Sequence, residues 1–322
     1  MQTTLQAVII DDFHPCLRET LLAGGCSVEY LPSVSAGDVT SVVSQCHILV
    51  VRTKCQINRE IIDAAPRLLI IARGGAGMDN IDEAYAISKG ITCVNAPEGN
   101  RDAVGEHAVG LMLALAGNIV KGHNEISRKI WNREGNRGIE LGSRTIGLIG
   151  YGNTGSAVAR RLSSFGCRVI AYDKYKSGYS DDFAKECSLE DIYSEADVVS
   201  VHVPLTDETR SMINADFIAK MKKPFMLLNL SRGGIADTKA VIDGLQKGRI
   251  SHFGADVLEN EKIESYTAEE TAMLETLCNM PNVVITPHVA GWSIESYQRI
   301  SEVLGQKIIR QIDELKKKQD RY

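Results

Sequence analysis

Three groups far apart in the chain have the chemistry to hold a 2-oxo acid and protonate its carbonyl. They are Arg232 in Asn229-Leu230-Ser231-Arg232-Gly233-Gly234, Glu261 at the end of Asp256-Val257-Leu258-Glu259-Asn260-Glu261, and His288 in Thr286-Pro287-His288. A planar guanidinium such as Arg232 grips a carboxylate through two parallel hydrogen bonds and polarises the carbonyl beside it. An imidazolium at His288 neutralises the charge that builds on oxygen when hydride reaches the carbonyl carbon, and serves as base in the reverse direction. A carboxylate at Glu261 on the other ring nitrogen orients the imidazole and favours its protonated form. Taken singly, an Arg after a strand or a His after a proline is more often an ordinary structural residue. Here Arg232, Asp256 and His288 each lie just past a short apolar run, at 225–230, 250–255 and 283–285. The carboxyl ends of strands are where doubly wound sheets bind ligands.

A second constellation supplies the hydride donor. Gly150-Tyr151-Gly152-Asn153-Thr154-Gly155 follows the apolar run 145–149 and opens a helical pattern, the context a dinucleotide fingerprint requires. Gly150 permits the tight turn, Gly152 the approach of backbone to pyrophosphate, and Gly155 close helix packing. The helix N-terminus, with Asn153 and Thr154 in its first turn, offers amide donors and a positive dipole. Asp173 ends the next strand, 168–172, where a carboxylate accepts both ribose hydroxyls and repels a ribose phosphate. That favours NAD over NADP. His202-Val203-Pro204 leaves another strand end, and Pro204 cannot continue a central ladder, so the segment turns into a wall of the cofactor site. His202, Pro204, Thr209, Leu230, Ser231 and Asp256 complete the candidate cofactor contacts, with His202 outside the catalytic set.

These residues need a scaffold, and the chain alternates apolar runs with helical stretches twice. The first set of runs lies at 7–10, 28–31, 48–51, 68–72 and 91–94, and the second at 146–149, 169–172, 198–203, 226–230 and 283–286. Such alternation predicts two α/β domains of the doubly wound, Rossmann-like kind, each a parallel sheet covered by helices. The stretch 101–131 reads as long and helical and leaves the first domain, and the terminal helix 293–317 packs back on it. The cofactor domain, 101–289, is then an insertion in a domain made of 1–100 and 290–322. Two crossings would create a hinge and a cleft, and such clefts are favoured ligand sites.

The chain has 322 residues, 44% hydrophobic and 24% charged, with a formal net charge of -5, ordinary globular composition with no basic field for nucleic acid. The N-terminus has no basic leader before a long apolar stretch, and the longest apolar helical candidate, 108–116, is too short to cross a bilayer. No membrane association is expected. Eight cysteines are scattered with no Cys-x-x-Cys pair, which argues against a metal site and suits a reducing cytoplasm.

Together these motifs resemble the D-isomer-specific 2-hydroxyacid dehydrogenases over nearly the whole chain. The resemblance implies an NAD-dependent oxidoreductase acting on CH–OH donors, with Arg232, Glu261 and His288 catalytic and Asp256 near the nicotinamide carboxamide. It also implies a flavodoxin-like substrate domain with an inserted NAD-binding Rossmann domain, and homodimers joined through the cofactor domains. Arg73-Gly74-Gly75-Ala76-Gly77 is similar to the family's substrate loop, where Gly75, Ala76 and Gly77 let backbone donors face the substrate carboxylate. Asn95 to Asn100, with Val104-Gly105-Glu106-His107, is similar to the crossover into the cofactor domain, which Glu106 and His107 would stabilise.

Within the family, Val51-Arg52-Thr53-Lys54 with 95–100 is most similar to the phosphoglycerate dehydrogenases of serine biosynthesis, where a cation at the Arg52 position meets phosphate. Arg52 and Arg73 would supply that charge, so 3-phosphoglycerate leads, followed by glyoxylate, hydroxypyruvate and D-lactate. Two features depart from that pattern: Lys262 stands where proline usually follows the glutamate, and 263–280 makes a longer approach to His288. The chain also ends without the regulatory domain of longer phosphoglycerate enzymes, so serine feedback is not expected. An NAD-sensing corepressor-like role is the non-enzymatic alternative. Formate dehydrogenase relatives carry glutamine at the Glu261 position, which argues against that activity.

Overall fold

In the computed structural model, residues 4–319 are described. The chain divides into two compact units, 1–100 with 292–322, and 101–291.

Unit 1 begins with β1 (Gln6–Ile9), α1 (Pro15–Ala23), β2 (Ser27–Tyr30), α2 (Val39–Val42) and β3 (Ile48–Val51). It continues through α3 (Arg59–Asp63), β4 (Ile70–Arg73), α4 (Glu83–Ser88) and β5 (Thr92–Asn95). The five strands are parallel in the order β2-β1-β3-β4-β5, the flavodoxin-like order. Strand β3, Ile-Leu-Val-Val, is buried throughout, as a parallel strand covered on both faces requires. Local chemistry sets the helix starts. Pro15 opens α1, and the side chains of Asn58 and Asp82 accept amides of the first turns of α3 and α4, satisfying donors the helix itself leaves open. The last helix, α12 (Ile294–Gln319), buries Ile300, Leu304, Ile308 and Ile312 in one core cluster with Leu17, Leu21 and the strand residues Ala7 and Ile9.

The sequence reading began the long helical stretch at residue 101 and ran it to 131. Instead, α5 (Pro97–Ala116) starts at Pro97, whose fixed φ suits a first helical position, and it stops before Gly117. Asn118 takes a left-handed φ of 51°, and α6 (Ile119–Ser127) starts afresh. Asn tolerates that conformation better than most residues, so a glycine–asparagine pair breaks what periodicity alone would have continued. Among the described residues no single helix is long and apolar enough to cross a membrane, although α5 and α6 pass that test as a pair bent by 58°. Ala108, Leu111, Met112 and Leu115 of α5 are core residues of unit 2.

Unit 2 continues with β6 (Thr145–Ile149), α7 (Asn153–Leu162), β7 (Arg168–Tyr172), β8 (Lys185–Glu186) and α8 (Leu189–Glu195). Then follow β9 (Val198–Val201), α9 (Ala215–Lys220), β10 (Phe225–Asn229), α10 (Thr238–Gln246), β11 (Ile250–Ala255), α11 (Ala268–Asn279) and β12 (Val283–Ile285). The order β12-β11-β10-β9-β6-β7-β8 is parallel throughout. It reverses direction at β6 and β9, the topological switch point where doubly wound sheets bind dinucleotides. Strand β9 stops at Val201 rather than at 203. His202 still donates its amide to Ile149 O at 2.7 Å, but Pro204 has no amide to extend the ladder.

Candidate active site

The loop after β10 carries Arg232 and is held from within. The Asn229 side chain is buried, with Nδ2 donating to Arg232 O at 2.9 Å and Oδ1 accepting Ser231 N at 3.1 Å. Ser231 Oγ donates to Val201 O at 2.8 Å, and Arg232 Nη1 to Ser231 O at 2.7 Å. Gly233 allows the next loop to close on this one: a Cβ there would fall 1.9 Å from Leu258 O and 2.0 Å from its carbonyl carbon. That contact is backbone on backbone, so no side chain can yield to it.

Glu261 follows from the second loop. Its Oε2 lies 2.9 Å from His288 Nδ1, and both side chains are 45% exposed. With a carboxylate accepting at Nδ1, the proton sits on that nitrogen and Nε2 is left to face a reacting group. The bond to His288 is the largest influence on Glu261 and, with the positive charge of Arg232, holds its carboxyl below the usual carboxylate range despite partial burial. The sequence-predicted trio is therefore brought together within unit 2.

His288 takes a left-handed φ of 54°, a conformation that costs a side-chain-bearing residue about 1–2 kcal/mol. Asp256 holds it there. Asp256, which the family resemblance sets near the nicotinamide carboxamide, has its carboxylate on the loop that carries His288. Oδ1 accepts Thr286 Oγ1 at 2.5 Å and Val289 N at 2.9 Å, and Oδ2 accepts Ala290 N at 2.7 Å. His107, on α5, lies 3.0 Å from Thr286 Oγ1 and 3.7 Å from Asp256 Oδ1. A structural hub of this kind has no signature in spacing, because the bonds run to backbone amides thirty-odd residues away.

At the glycine loop, Gly150 has φ of 97°, and a Cβ there would sit 2.4 Å from His202 O; one on Gly155 would sit 2.1 Å from Gly150 O. Gly152 differs in that a Cβ would meet nothing within 4 Å, so its hydrogen keeps open the space in front of α7. No side chain caps that helix and its first turn holds no acid, which leaves the amides of Asn153 and Thr154 available for a phosphate. Asp173 is fixed by two amides, Oδ2 accepting Tyr151 N at 2.9 Å and Oδ1 accepting Tyr175 N at 3.0 Å. These features fit a dinucleotide. His202 is buried beneath the loop, with Nε2 2.8 Å from Ser200 Oγ, and burial pushes its imidazole down to about 4. Thr209, read as a cofactor contact, turns its hydroxyl inward: it donates to Pro204 O at 2.6 Å and accepts Thr206 N at 2.8 Å, closing the turn after Pro204. Leu230 lies in the core of unit 2.

Unit 1 holds the candidate substrate-binding residues. Gly75 has φ of 140°, and the Arg73 guanidinium lies over it, Nη1 only 2.0 Å from where a Cβ would be. Ala76 O accepts Asn95 Nδ2 at 2.6 Å, which ties the loop through Gly77 to the end of β5. Arg52 stacks on Trp292 at 4.1 Å from the ring centroid and donates from Nη1 to Asp12 O at 3.4 Å. Asp11 accepts the Arg52 amide at 2.6 Å, while Asp12 accepts the hydroxyls of Tyr30 and Tyr297 at 2.9 Å each. Sequence reasoning missed Trp292, whose meeting with Arg52 depends on α12 returning to unit 1.

Residues 109–290 match the D-isomer specific 2-hydroxyacid dehydrogenase, NAD binding domain. The chain belongs to the D-isomer specific 2-hydroxyacid dehydrogenase family. A hydroxypyruvate reductase of Thermotoga maritima is 37% identical over 275 residues, 85% of this chain and 88% of that protein. A D-3-phosphoglycerate dehydrogenase of Methanocaldococcus jannaschii is 34% identical over 94% of this chain, which spans only 57% of that relative's length. Among solved structures, D-lactate dehydrogenase from Aquifex aeolicus, complexed with NAD and lactic acid, superposes with a TM-score of 0.83 at 28% identity over 96% of this chain and 95% of that one. As a member of this family the protein is an NAD-dependent D-2-hydroxyacid dehydrogenase.

Proposed function

We propose that this dehydrogenase interconverts short 2-oxo acids and D-2-hydroxy acids, and that hydroxypyruvate represents the substrate class it serves best. The observation that carries the mechanism is the 2.9 Å contact between His288 Nδ1 and Glu261 Oε2. Bound NADH supplies the hydride. Arg232 binds the substrate carboxylate through paired N–H donors and polarises the adjacent carbonyl. His288 gives its Nε2 proton to the carbonyl oxygen as charge develops there, and Glu261, ionised throughout, stabilises the imidazolium that precedes transfer. Asp256 acts on the backbone around His288. The amides at the start of α7 hold pyrophosphate, and Asp173 holds the adenosine ribose. In unit 1, residues 75–77, Arg52 and Arg73 serve as the substrate-binding element.

Hydroxypyruvate leads for two reasons. The hydroxypyruvate reductase relative is matched over most of both chains. In addition, Asp11 and Asp12 offset the charge of Arg52, which disfavours a dianionic tail more than a neutral hydroxymethyl group. The phosphorylated substrate of serine biosynthesis is the second reading, favoured by two guanidinium groups, Arg52 and Arg73, in the same unit. Rates with NADH should be compared for hydroxypyruvate, glyoxylate, pyruvate and 3-phosphohydroxypyruvate. The leading reading requires hydroxypyruvate to exceed the phosphorylated acid in kcat/KM by about 10-fold or more, a difference of about 1.4 kcal/mol. The opposite ratio, abolished by Arg52→Ala, would replace it with the second.

A homodimer through unit 2 is part of the reading. Trp131 is 86% exposed, and Ile119, Ile126 and Ile130 are exposed nearby in the chain, apolar side chains that a partner subunit would cover. Sedimentation of the wild type as a dimer and of Trp131→Lys as a monomer is expected; a monomeric wild type would refute it. A reducing, cytoplasmic location fits thiols scattered singly along the chain.

A further inference from the structure

Glu261 lies in irregular backbone between β11 and the short 3-10 turn Ile263–Ser265, and its side chain is 45% exposed. Packing therefore does not fix it, yet a proton-transfer pair needs its partner held to within a fraction of an ångström. The flanking residues are tied down by bonds to side chains and backbone. Asn260, immediately before, is held at three points: its carbonyl oxygen accepts the Tyr266 hydroxyl at 2.5 Å, Oδ1 accepts Lys262 N at 3.0 Å, and Nδ2 donates to Glu270 Oε1 at 3.0 Å. Lys262, immediately after, accepts Ser265 N at 2.8 Å and Ser265 Oγ at 2.7 Å through its carbonyl.

Those bonds lead back to the core. The other oxygen of Glu270, Oε2, accepts Thr267 N at 2.7 Å and Thr267 Oγ1 at 2.8 Å, closing a capping box on α11. Helix α11 is anchored by Leu277, which belongs to a core cluster of unit 2 with Val241, Leu245 and Phe253. One carboxylate thus joins the cap of an anchored helix to the residue next to Glu261.

We propose that the start of α11 is a clamp for the proton-transfer pair, with Asn260, Tyr266 and Glu270 acting as positioning residues that hold Glu261 against His288. This rests on the reading of His288 and Glu261 given above. It assigns a role to the stretch 263–280, and it makes this helix, remote from the glycine loop, a determinant of turnover and not of cofactor binding.

The test compares Tyr266→Phe and Asn260→Ala, each alone and combined with Glu261→Gln, in the full chain. NADH oxidation with hydroxypyruvate is followed from about pH 5.5 to about pH 9, alongside NADH binding and thermal unfolding. Tyr266→Phe should lower kcat about 5-fold and Asn260→Ala about 20-fold, with NADH affinity unchanged, as expected for one and for several lost hydrogen bonds. In both, the alkaline fall of the reduction rate should move to lower pH, because a looser carboxylate stabilises the imidazolium less. In the Glu261→Gln background neither change should have a further effect. Wild-type kcat and pH profile in both single variants, with Glu261→Gln impaired, would overturn the clamp alone, as would full additivity or a lowered Tm with an unmoved profile. Wild-type turnover by Glu261→Gln would overturn the catalytic reading and the clamp together.

Discussion

Replacing Asp256 tests how the loop that carries His288 is held. Its carboxylate is 1% exposed and receives three donors, the Thr286 hydroxyl and the amides of Val289 and Ala290. In Asp256→Ala the hydroxyl rotates to another acceptor, but the two amides lose theirs, each at about 1–3 kcal/mol when left unsatisfied in a buried place. The expected loss of stability is about 4 kcal/mol. Asp256→Asn keeps an acceptor for Val289 and Thr286 but turns an amide group toward the Ala290 N–H, so about 2 kcal/mol is expected from that one mismatch. His288, freed from the bonds beyond it, relaxes from its φ of 54° toward negative φ and moves its ring. A displacement of about 1 Å is enough to lower kcat about 100-fold. Urea unfolding gives the first quantity and NADH oxidation the second, while hydrogen exchange at Val289 and Ala290 reports the loop directly. An Asp256→Ala variant with kcat within about twofold of wild type and unchanged exchange at those amides would show that Asp256 does not hold the His288 loop, since a twofold rate change is only about 0.4 kcal/mol.

Two other perturbations have defined signs. Burial pushes His202 down to about 4 from an unfolded value of about 6.5, so the folded protein binds the neutral ring. The stability that follows is present above the unfolded value and is lost as pH falls through about 6.5 toward 4; between pH 7 and pH 5 the loss is about 2 kcal/mol. His202→Gln should flatten that part of the stability curve, and an unchanged acid slope by urea unfolding would contradict the assignment. Gly233→Ala forces a Cβ to within 1.9 Å of Leu258 O; about 2–3 kcal/mol of destabilisation is expected from overpacking, with kcat/KM falling as the loops of Arg232 and Glu261 separate. Wild-type stability and rate would show that the two loops are not locked together there.

The parts of this molecule legible in its sequence are those governed by local rules. Runs such as Ile48-Leu49-Val50-Val51 announce buried parallel strands, and Gly150 and Gly155 stand where backbone leaves no room for a Cβ. Arg232 and His288 could be singled out because each follows a strand end, a position that depends on short-range pattern. The break at Gly117 and Asn118 was missed because apolar periodicity runs straight across it. The family resemblance sets Asp256 near the cofactor, but its three bonds to the His288 loop are not legible in spacing. The inward-turned hydroxyl of Thr209, the Arg52–Trp292 stack and the ties on Asn260 likewise depend on rotamers and on contacts between distant segments, which spacing does not encode.

In the proposed mechanism His288 passes the proton while Glu261 holds it ready. The most direct measurement is single-turnover reduction of hydroxypyruvate by His288→Gln at saturating NADH. A fall of about 100-fold or more in the chemical step, with NADH affinity unchanged, is predicted. Reduction at near wild-type rate by that variant would remove His288 from the proton transfer.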